Sequence, residues 1–328
     1  MNGRQWVKDH LFKERPDGGG DGGFGLHDWL ARLHTAPIQQ IDGLEITPLI
    51  LDGAAGTPFL LAAEAIDRGL LEIAERGGGS VPTVQATNRG KDHVLILEGD
   101  TLIGCKQNRI VAHTVIIAPG KTVDVSVGCM ESGRWAHRSP RFSSGKLRAD
   151  PWLRKKRKLE VMAAMRAGDR ARIDQTQMWN DVEEQLACHS VGSPTRDYHR
   201  VFEELGDDAI GKANRFTPVK GQVGVIALWR GHLLGLEVVG HPECWSHLAR
   251  RTLPAYLLVA HNADNGLLRG QEGEIRAVEG WLEALKRAPL RTKPAASVGL
   301  DFDFKTTSVY GSGLWHEGRP AHMAMFSN

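Results

Sequence analysis

The apolar positions of this chain change rhythm along its length. Residues 44–51 (LEITPLIL) run as a strand, and Asp52-Gly53-Ala54-Ala55-Gly56 breaks it. Thr57-Pro58 then opens a predicted helix to about Arg76, because Leu60, Leu61, Ala65, Ile66, Leu70 and Ile73 recur at helical spacing before Gly77-Gly78-Gly79. Four strands are predicted next, at 83–87, 94–97, 110–117 and 122–127. The breaks Asn88-Arg89-Gly90 and Pro119-Gly120 suit tight turns between antiparallel neighbours. Residues 148–210 turn helical. Leu159, Met162, Ala163 and Arg166 share one helix, and Met178, Val182, Gln185 and Leu186 share a second, ended by Ser193-Pro194-Thr195. Thr195 is a candidate cap for a third helix running through Val201 and Leu205. Strand pattern resumes at 223–228 and 233–239 around Arg230-Gly231, followed by helices at 242–260 and 271–286 and strands at 297–303, 308–315 and 321–326.

Strands, then helices, then strands predict an α+β fold. Antiparallel or mixed β-layers are expected in the N-terminal half and at the C-terminus, with a central and C-terminal set of helices. Residues 1–43 are expected to be an extension. Asp17-Gly18-Gly19-Gly20-Asp21-Gly22-Gly23 forms a flexible loop by composition, and Trp6, Leu11, Phe12, Trp29 and Leu30 are available to dock the segment on the body. Residues 44–328 read as one large domain, with a sub-boundary near 145–150 and the last strands returning to an earlier sheet.

Composition narrows the class. A chain of 328 residues with 41% hydrophobic and 24% charged positions reads as soluble and globular. No apolar run approaches the roughly 20 residues that span a bilayer, and the N-terminus has no apolar signal segment. Cys105, Cys129, Cys188 and Cys244 are widely spaced, which suits reduced thiols and a cytoplasmic location better than a disulfide frame or a zinc site. The net charge of +2 hides an asymmetry: between Ser132 and Arg172 there are 13 Lys and Arg against 3 acids. The run Arg154-Lys155-Lys156-Arg157-Lys158 lies inside that segment. It reads either as a solvated helix face or as an electrostatic funnel for phosphates or nucleic acid.

Chemistry-bearing residues gather at the ends of apolar runs. Glu98 and Asp100 flank Gly99, a pair able to bind a metal, act as base or hold a ribose diol, or simply to form a turn. Lys106-Gln107-Asn108-Arg109 follows Gly104-Cys105; on a strand, alternation sends Lys106 and Asn108 to one face and Gln107 and Arg109 to the other. One face then presents a cation beside an amide, as phosphate or carboxylate binding needs, although an exposed polar turn fits equally well. Cys129, Glu131, Arg134 and Trp135 form a second cluster: a thiol nucleophile or a small buried residue, an acid or base, an anion clamp, and a stacking ring. Glu131 and Arg134 could instead be a plain salt bridge. Gln175 and Trp179 share a helix face at i,i+4. His261, His316 and His322 have no metal-ligand spacing, and the common nucleotide, kinase and hydrolase motifs do not occur. The sequence names no cofactor.

These residues carry a resemblance. Ser80-Val81-Pro82, Asn88-Arg89, Leu97-Glu98-Gly99, Gly104 with Lys106-Gln107-Asn108-Arg109, Cys129 with Glu131, Gly133-Arg134-Trp135 and Phe142-Ser143-Ser144 resemble the ARG-and-rhodanese-phosphatase-associated protein domain, first form, a family of unknown function. The likeness continues through Asp174-Gln175, Trp179, Ser193-Pro194-Thr195, Gly221-Gln222-Val223-Gly224 and 322–326, covering roughly residues 44–328. Asp100 departs from the expected Glu, and the Gly-rich N-terminus and the 154–158 run look particular to this chain. The resemblance implies an association with ADP-ribosylglycohydrolase-like and rhodanese-phosphatase-like proteins, and so with NAD or ADP-ribose metabolism. That is context, not mechanism.

The leading expectation is binding, with hydrolytic processing, of an ADP-ribose- or NAD-related or other nucleotide-like anionic ligand. Glu98, Glu131 and Cys129 are the catalytic candidates. Lys106, Gln107, Asn108, Arg109, Arg134, Trp135, Gln175 and Trp179 are the ligand-binding ones. Two alternatives stay open: a non-catalytic module for nucleic acid or protein using residues 132–172, and a structural or assembly protein in which the polar residues pair with one another.

Overall fold

The computed structural model describes residues 25–53, 55–77, 82–262 and 278–328. The 17–23 loop, Trp6, Leu11, Phe12, Ala54, Gly78-Gly79, Ser80-Val81, residues 271–277 of the last predicted helix and the His261 side chain lie outside the described residues.

The frame is a nine-stranded antiparallel sheet assembled from both ends of the chain. Its order is Leu33–Thr35, Leu44–Leu51, Gln222–Trp229, His232–Val239, Arg319–Ser327, Val309–His316, Leu300–Lys305, Leu290–Pro294, with Gln39–Ile41 also pairing Leu44–Leu51. Gln222–Trp229 and His232–Val239 read as nearly unbroken apolar runs because both faces of the sheet are covered. Val225 and Ala227 pack under helices Pro151–Arg166, Gln175–Cys188, His199–Ala213 and Pro242–Asn262. Ile226 and Leu228, pointing the other way, pack with Trp29 of helix Leu26–Ala31 and with Trp281 and Leu285 of helix Val278–Lys286. Residues 26–41 therefore belong to the body, with Trp29 and Leu30 in its core, and not to an extension.

The middle of the N-terminal half forms two smaller sheets. One has six strands, Phe142–Ser144, Thr101–Gly104, Arg109–Val111, Thr122–Cys129, Thr83–Asn88 and Leu71–Glu75; the other has three, Val115–Ile117, Val94–Ile96 and Leu60–Leu61. The architecture is α+β, with antiparallel and mixed sheets. Among the described residues no helix is long and apolar enough to cross a membrane.

Three local expectations are corrected. The 57–76 helix is only Ala62–Asp67, because Gly69 (φ +67°) ends it and Leu71–Glu75 pairs as a strand with Thr83–Asn88. The 110–117 strand is two strands in different sheets, parted at Ala112-His113-Thr114. Consequently the turns at 88–90 and 118–121 carry the chain from one sheet to another rather than closing hairpins.

Buried charge locks these layers together. Glu237, on His232–Val239, receives the Arg148 guanidinium on Oε1 and Arg154 Nη1 at 2.7 Å on Oε2. Arg148 Nη2 also donates to the Glu98 carbonyl at 2.6 Å, Arg154 Nη2 to Glu98 Oε1 at 3.2 Å, and Arg251 Nη1 to Asp100 Oδ1 at 3.0 Å. Gly99 makes this possible: at φ +76° it sits where a side chain would collide with Arg154, whose Cδ lies 2.8 Å from an ideal Cβ position. Burial alone would raise the Glu237 carboxyl, but Arg148 and Arg154 overcome it and hold it well below the carboxylate range.

His322 belongs to the same network. The Glu98 backbone N–H donates to Thr114 Oγ1 (3.1 Å), Thr114 Oγ1 lies 3.0 Å from His322 Nδ1, and His322 Nε2 lies 2.8 Å from Glu237 Oε1. With the Thr114 hydroxyl donating to Nδ1, the imidazole is neutral and its Nε2–H donates to Glu237. Burial pulls its pKa from 6.5 down to about 4, against the attraction of Glu237 and helped by Arg148 and Arg154. The unfolded chain thus takes up this proton first as pH falls. The His322 contribution is complete above pH 6.5 and is lost toward pH 4, amounting to about 3 kcal/mol. Urea denaturation of the native chain and of His322→Gln between pH 7.5 and 4.5 checks this: the variant should show the shallower acid decline, and equal slopes would refute it.

Candidate functional site

The residues singled out from the sequence do converge, but on one another. Glu98 and Asp100 lie in the charged network between the layers. Glu98 Oε2 is also bonded by Lys158 Nζ, which reaches on to Ser312 Oγ at 2.9 Å.

A second knot forms where Thr101–Gly104 turns into Arg109–Val111. Residues 105–108 are a turn, not a strand, with Cys105 at φ +43°. Asn108 Nδ2 donates to Asp197 Oδ2 at 2.8 Å, its Oδ1 accepts the Gly104 N–H at 2.9 Å, and its own N–H donates to Glu131 Oε2 at 3.1 Å. Arg134 clamps Glu131 with Nε (2.9 Å to Oε1) and Nη2 (2.6 Å to Oε2), and spends Nη1 on the Cys105 carbonyl at 2.6 Å. Burial pushes the neighbouring Asp197 carboxyl up to about 6; the His199 N–H opposes this and Glu131 adds to it. Gln107 is buried beside the knot.

The third knot is Cys129. The Gln175 side chain accepts its N–H and donates to its carbonyl, both at 2.8 Å, so Gln175 acts as a backbone clamp. Fully buried Arg109 bonds the Cys129 sulfur and reaches Glu75 Oε1 at 3.1 Å. Burial pushes the Cys129 thiol up to about 11 despite Arg109, the opposite of what a nucleophile needs. Trp135 (52% exposed), with Lys106 Nζ 5.1 Å from its ring centre, and Trp179 (36% exposed) are the members of the set that face solvent.

The basic run is largely spent inside the fold. Arg154, Arg157 and Lys158 are buried; Arg157 pairs with Asp181 and with Glu160 at 2.9 Å. Lys156 holds Asp181 at 2.7 Å and sits 3.6 Å from the Trp152 ring centre, and Lys155 donates to Ser327 Oγ at 3.0 Å. Counterion release needs cations that reach phosphates, and this helix presents few.

The open concavity lies elsewhere. A cleft of about 540 Å³ separates the six-stranded sheet from the edge of the nine-stranded one, within the range of small-ligand sites. Strand alternation builds its first wall: Val84, Ala86, Val125 and Val127 enter the core, while Thr83, Gln85, Thr122, Asp124 and Ser126 face the cleft. Asp169 and Arg170, just past helix Pro151–Arg166, and Lys293 and Asp301 complete it. A notch of about 20 Å³ opens beside it, lined by His113, Met162, Arg291, Asp301, Asp303 and Ser312. The cleft carboxylates are mostly engaged: Asp124 with Arg76 at 2.6 Å, Asp301 with His113 Nε2 at 2.8 Å, Asp303 with Arg166. Lys293 and Arg291 face Asp301 and Asp303 across the strand pair, yet those acids turn away from them. Among the described residues Arg170, Arg291 and Lys293 have no ion pair.

Sequence reasoning missed this cleft. Its one local signal was His113, a polar residue inside the apolar 110–117 run. Among the described residues no three His, Cys, Asp or Glu side chains gather as metal ligands do.

The knots predict a division of labour. Arg134→Met strands buried Glu131 and should cost about 3–5 kcal/mol, whereas Trp135→Ala should change stability by less than about 0.5 kcal/mol. Chemical denaturation of the two variants separates them, and the reverse ranking would show that Arg134 is not a structural tie.

No curated protein and no solved structure matches the chain. Residues 32–326 match the ARG and Rhodanese-Phosphatase-superfamily-associated Protein domain, and the chain belongs to that family.

Proposed function

We propose that this protein binds a small phosphate-bearing, sugar-containing ligand of the nucleotide or ADP-ribose type, and that it does so in the cleft between the two β-layers. The observation that carries this reading is a set of cations that make no ion pair among the described residues, Arg170 and Lys293 on the cleft and Arg291 on the notch beside it, with hydroxyl and amide groups on the opposite wall. Cations without carboxylate partners suit phosphate oxygens, and a row of Thr, Ser and Gln side chains suits sugar hydroxyls. Val115, Val123 and Met165 add apolar surface for a ring. The family's association with ADP-ribosylglycohydrolase-like proteins points to the same ligand class.

A second observation bears on the polar knots. Glu98, Asn108, Arg109, Glu131, Arg134 and Gln175 already spend their hydrogen bonds within the chain, which favours a structural role for them.

Calorimetric titration with ADP-ribose, NAD and AMP tests the proposal. Binding by at least one of them, weakened at least tenfold (about 1.4 kcal/mol) by Lys293→Ala or Arg291→Ala, is expected. Affinity should also fall with salt. No heat from any of the three at millimolar concentration would refute it.

A further inference from the structure

His113 stands where all three sheets meet. It lies between Arg109–Val111 of the six-stranded sheet and Val115–Ile117 of the three-stranded one, and its Nε2 reaches Asp301 Oδ1, on the nine-stranded sheet, at 2.8 Å. Asp301 is buried and points its carboxylate at the imidazole, although Lys293 is its cross-strand neighbour. Both residues line the cleft and the notch beside it. The notch, at about 20 Å³, has room for one water. Polar groups from separate elements surround it: His113 and Asp301, Ser312, Asp303 and Arg291. Ser312 Oγ is held in place by Lys158 Nζ at 2.9 Å, and Asp303 by Arg166.

We propose that the cleft is a hydrolytic active site in which His113, oriented by Asp301, is the general base for a water seated in the notch, and that its substrate is a phosphoric ester or anhydride of a sugar. The proposal rests on the cleft being the ligand site. With Nε2–H donating to the Asp301 carboxylate, Nδ1 carries the lone pair. The water gives a proton to Nδ1 as its oxygen forms a bond to phosphorus. The phosphorus–oxygen bond to the leaving group breaks, and the departing oxygen takes the proton back from the imidazolium. Water is the only co-reactant. Asp301 is a positioning residue: it fixes the ring and the tautomer and balances the imidazolium charge. Arg291 and Lys293 lie where they would meet the charge gathering on the phosphoryl oxygens.

The test uses the full chain with ADP-ribose and bis(p-nitrophenyl) phosphate as substrates. The native protein should turn over at least one of them. His113→Ala should lower kcat at least 100-fold, the low end of a general base's contribution, while titration shows ADP-ribose still bound, and added imidazole should restore part of the rate. Asp301→Asn should lower kcat with KM and melting temperature little changed. If ADP-ribose binds but neither substrate is turned over, or if His113→Ala keeps the native rate, the general-base assignment falls while the binding site stands. If nothing binds, both fall together.

Discussion

Everything in this structure hangs on a carboxylate that cannot be exposed and cannot be left alone. Glu237 sits fully buried on a central strand, and Arg154 of the helix Pro151–Arg166, with Arg148 just before it, neutralises it. Such an ion pair gains little over apolar packing, because desolvation consumes most of the Coulombic attraction. Breaking it is another matter, since each partner removed leaves a buried charge. The arrangement is therefore best understood as a constraint on geometry. It sets which turn, helix and strand meet, and at what distance. Because Arg148 and Arg154 also hold Glu98, the same charges pin the N-terminal β-layer to the C-terminal sheet. The cleft is the gap that remains beside that joint. Its notch is bounded by Ser312, whose hydroxyl is tied to the network through Lys158.

The sequence showed most of the secondary structure and little of its assembly. Long strands with a helix layer on each side announce themselves as apolar runs, and the helices at 151–166, 175–188 and 242–262 by their period and caps; Asp174, for example, accepts the N–H groups of Thr176 and Gln177. The failures share one cause. Between residues 57 and 117 the chain passes repeatedly from one small sheet to another, in pieces of two to six residues. A period cannot be read from such short pieces. Thus Leu70 and Ile73 extended a helical count although Leu71–Glu75 is a strand, and 110–117 looked continuous although its halves hydrogen-bond to different partners.

The polar motifs were legible for a reason unrelated to openness. A buried strand end must satisfy its backbone groups, and side chains near in sequence do this most directly. Asn108 closing on Gly104, Arg134 clamping Glu131 three residues away and Asp100 accepting the Leu97 N–H are local solutions of this kind, so they appear as dense runs of charged and amide residues. Gln175 and Asp197 come from farther along the chain but serve the same ends. Density of polar residues in the sequence here marks where the fold is tied.

The cleft is assembled the other way round. Its walls draw on residues near 83–85, 113–126, 165–171 and 291–303, each contributing a few side chains with unremarkable neighbours. No window of the sequence holds enough of it to stand out. What distinguishes Arg291 and Lys293 is a property of three-dimensional accounting: the acids opposite them in strand register are already committed to Arg166 and His113. Matching each charge with its partner shows which cations the fold leaves over, and among these Arg170 and Lys293 line the cleft and Arg291 the notch beside it. Charge that the fold consumes and charge that it leaves over look alike in a sequence; the pairing pattern separates them, and it shows that most of the charged motif residues are spent within the fold.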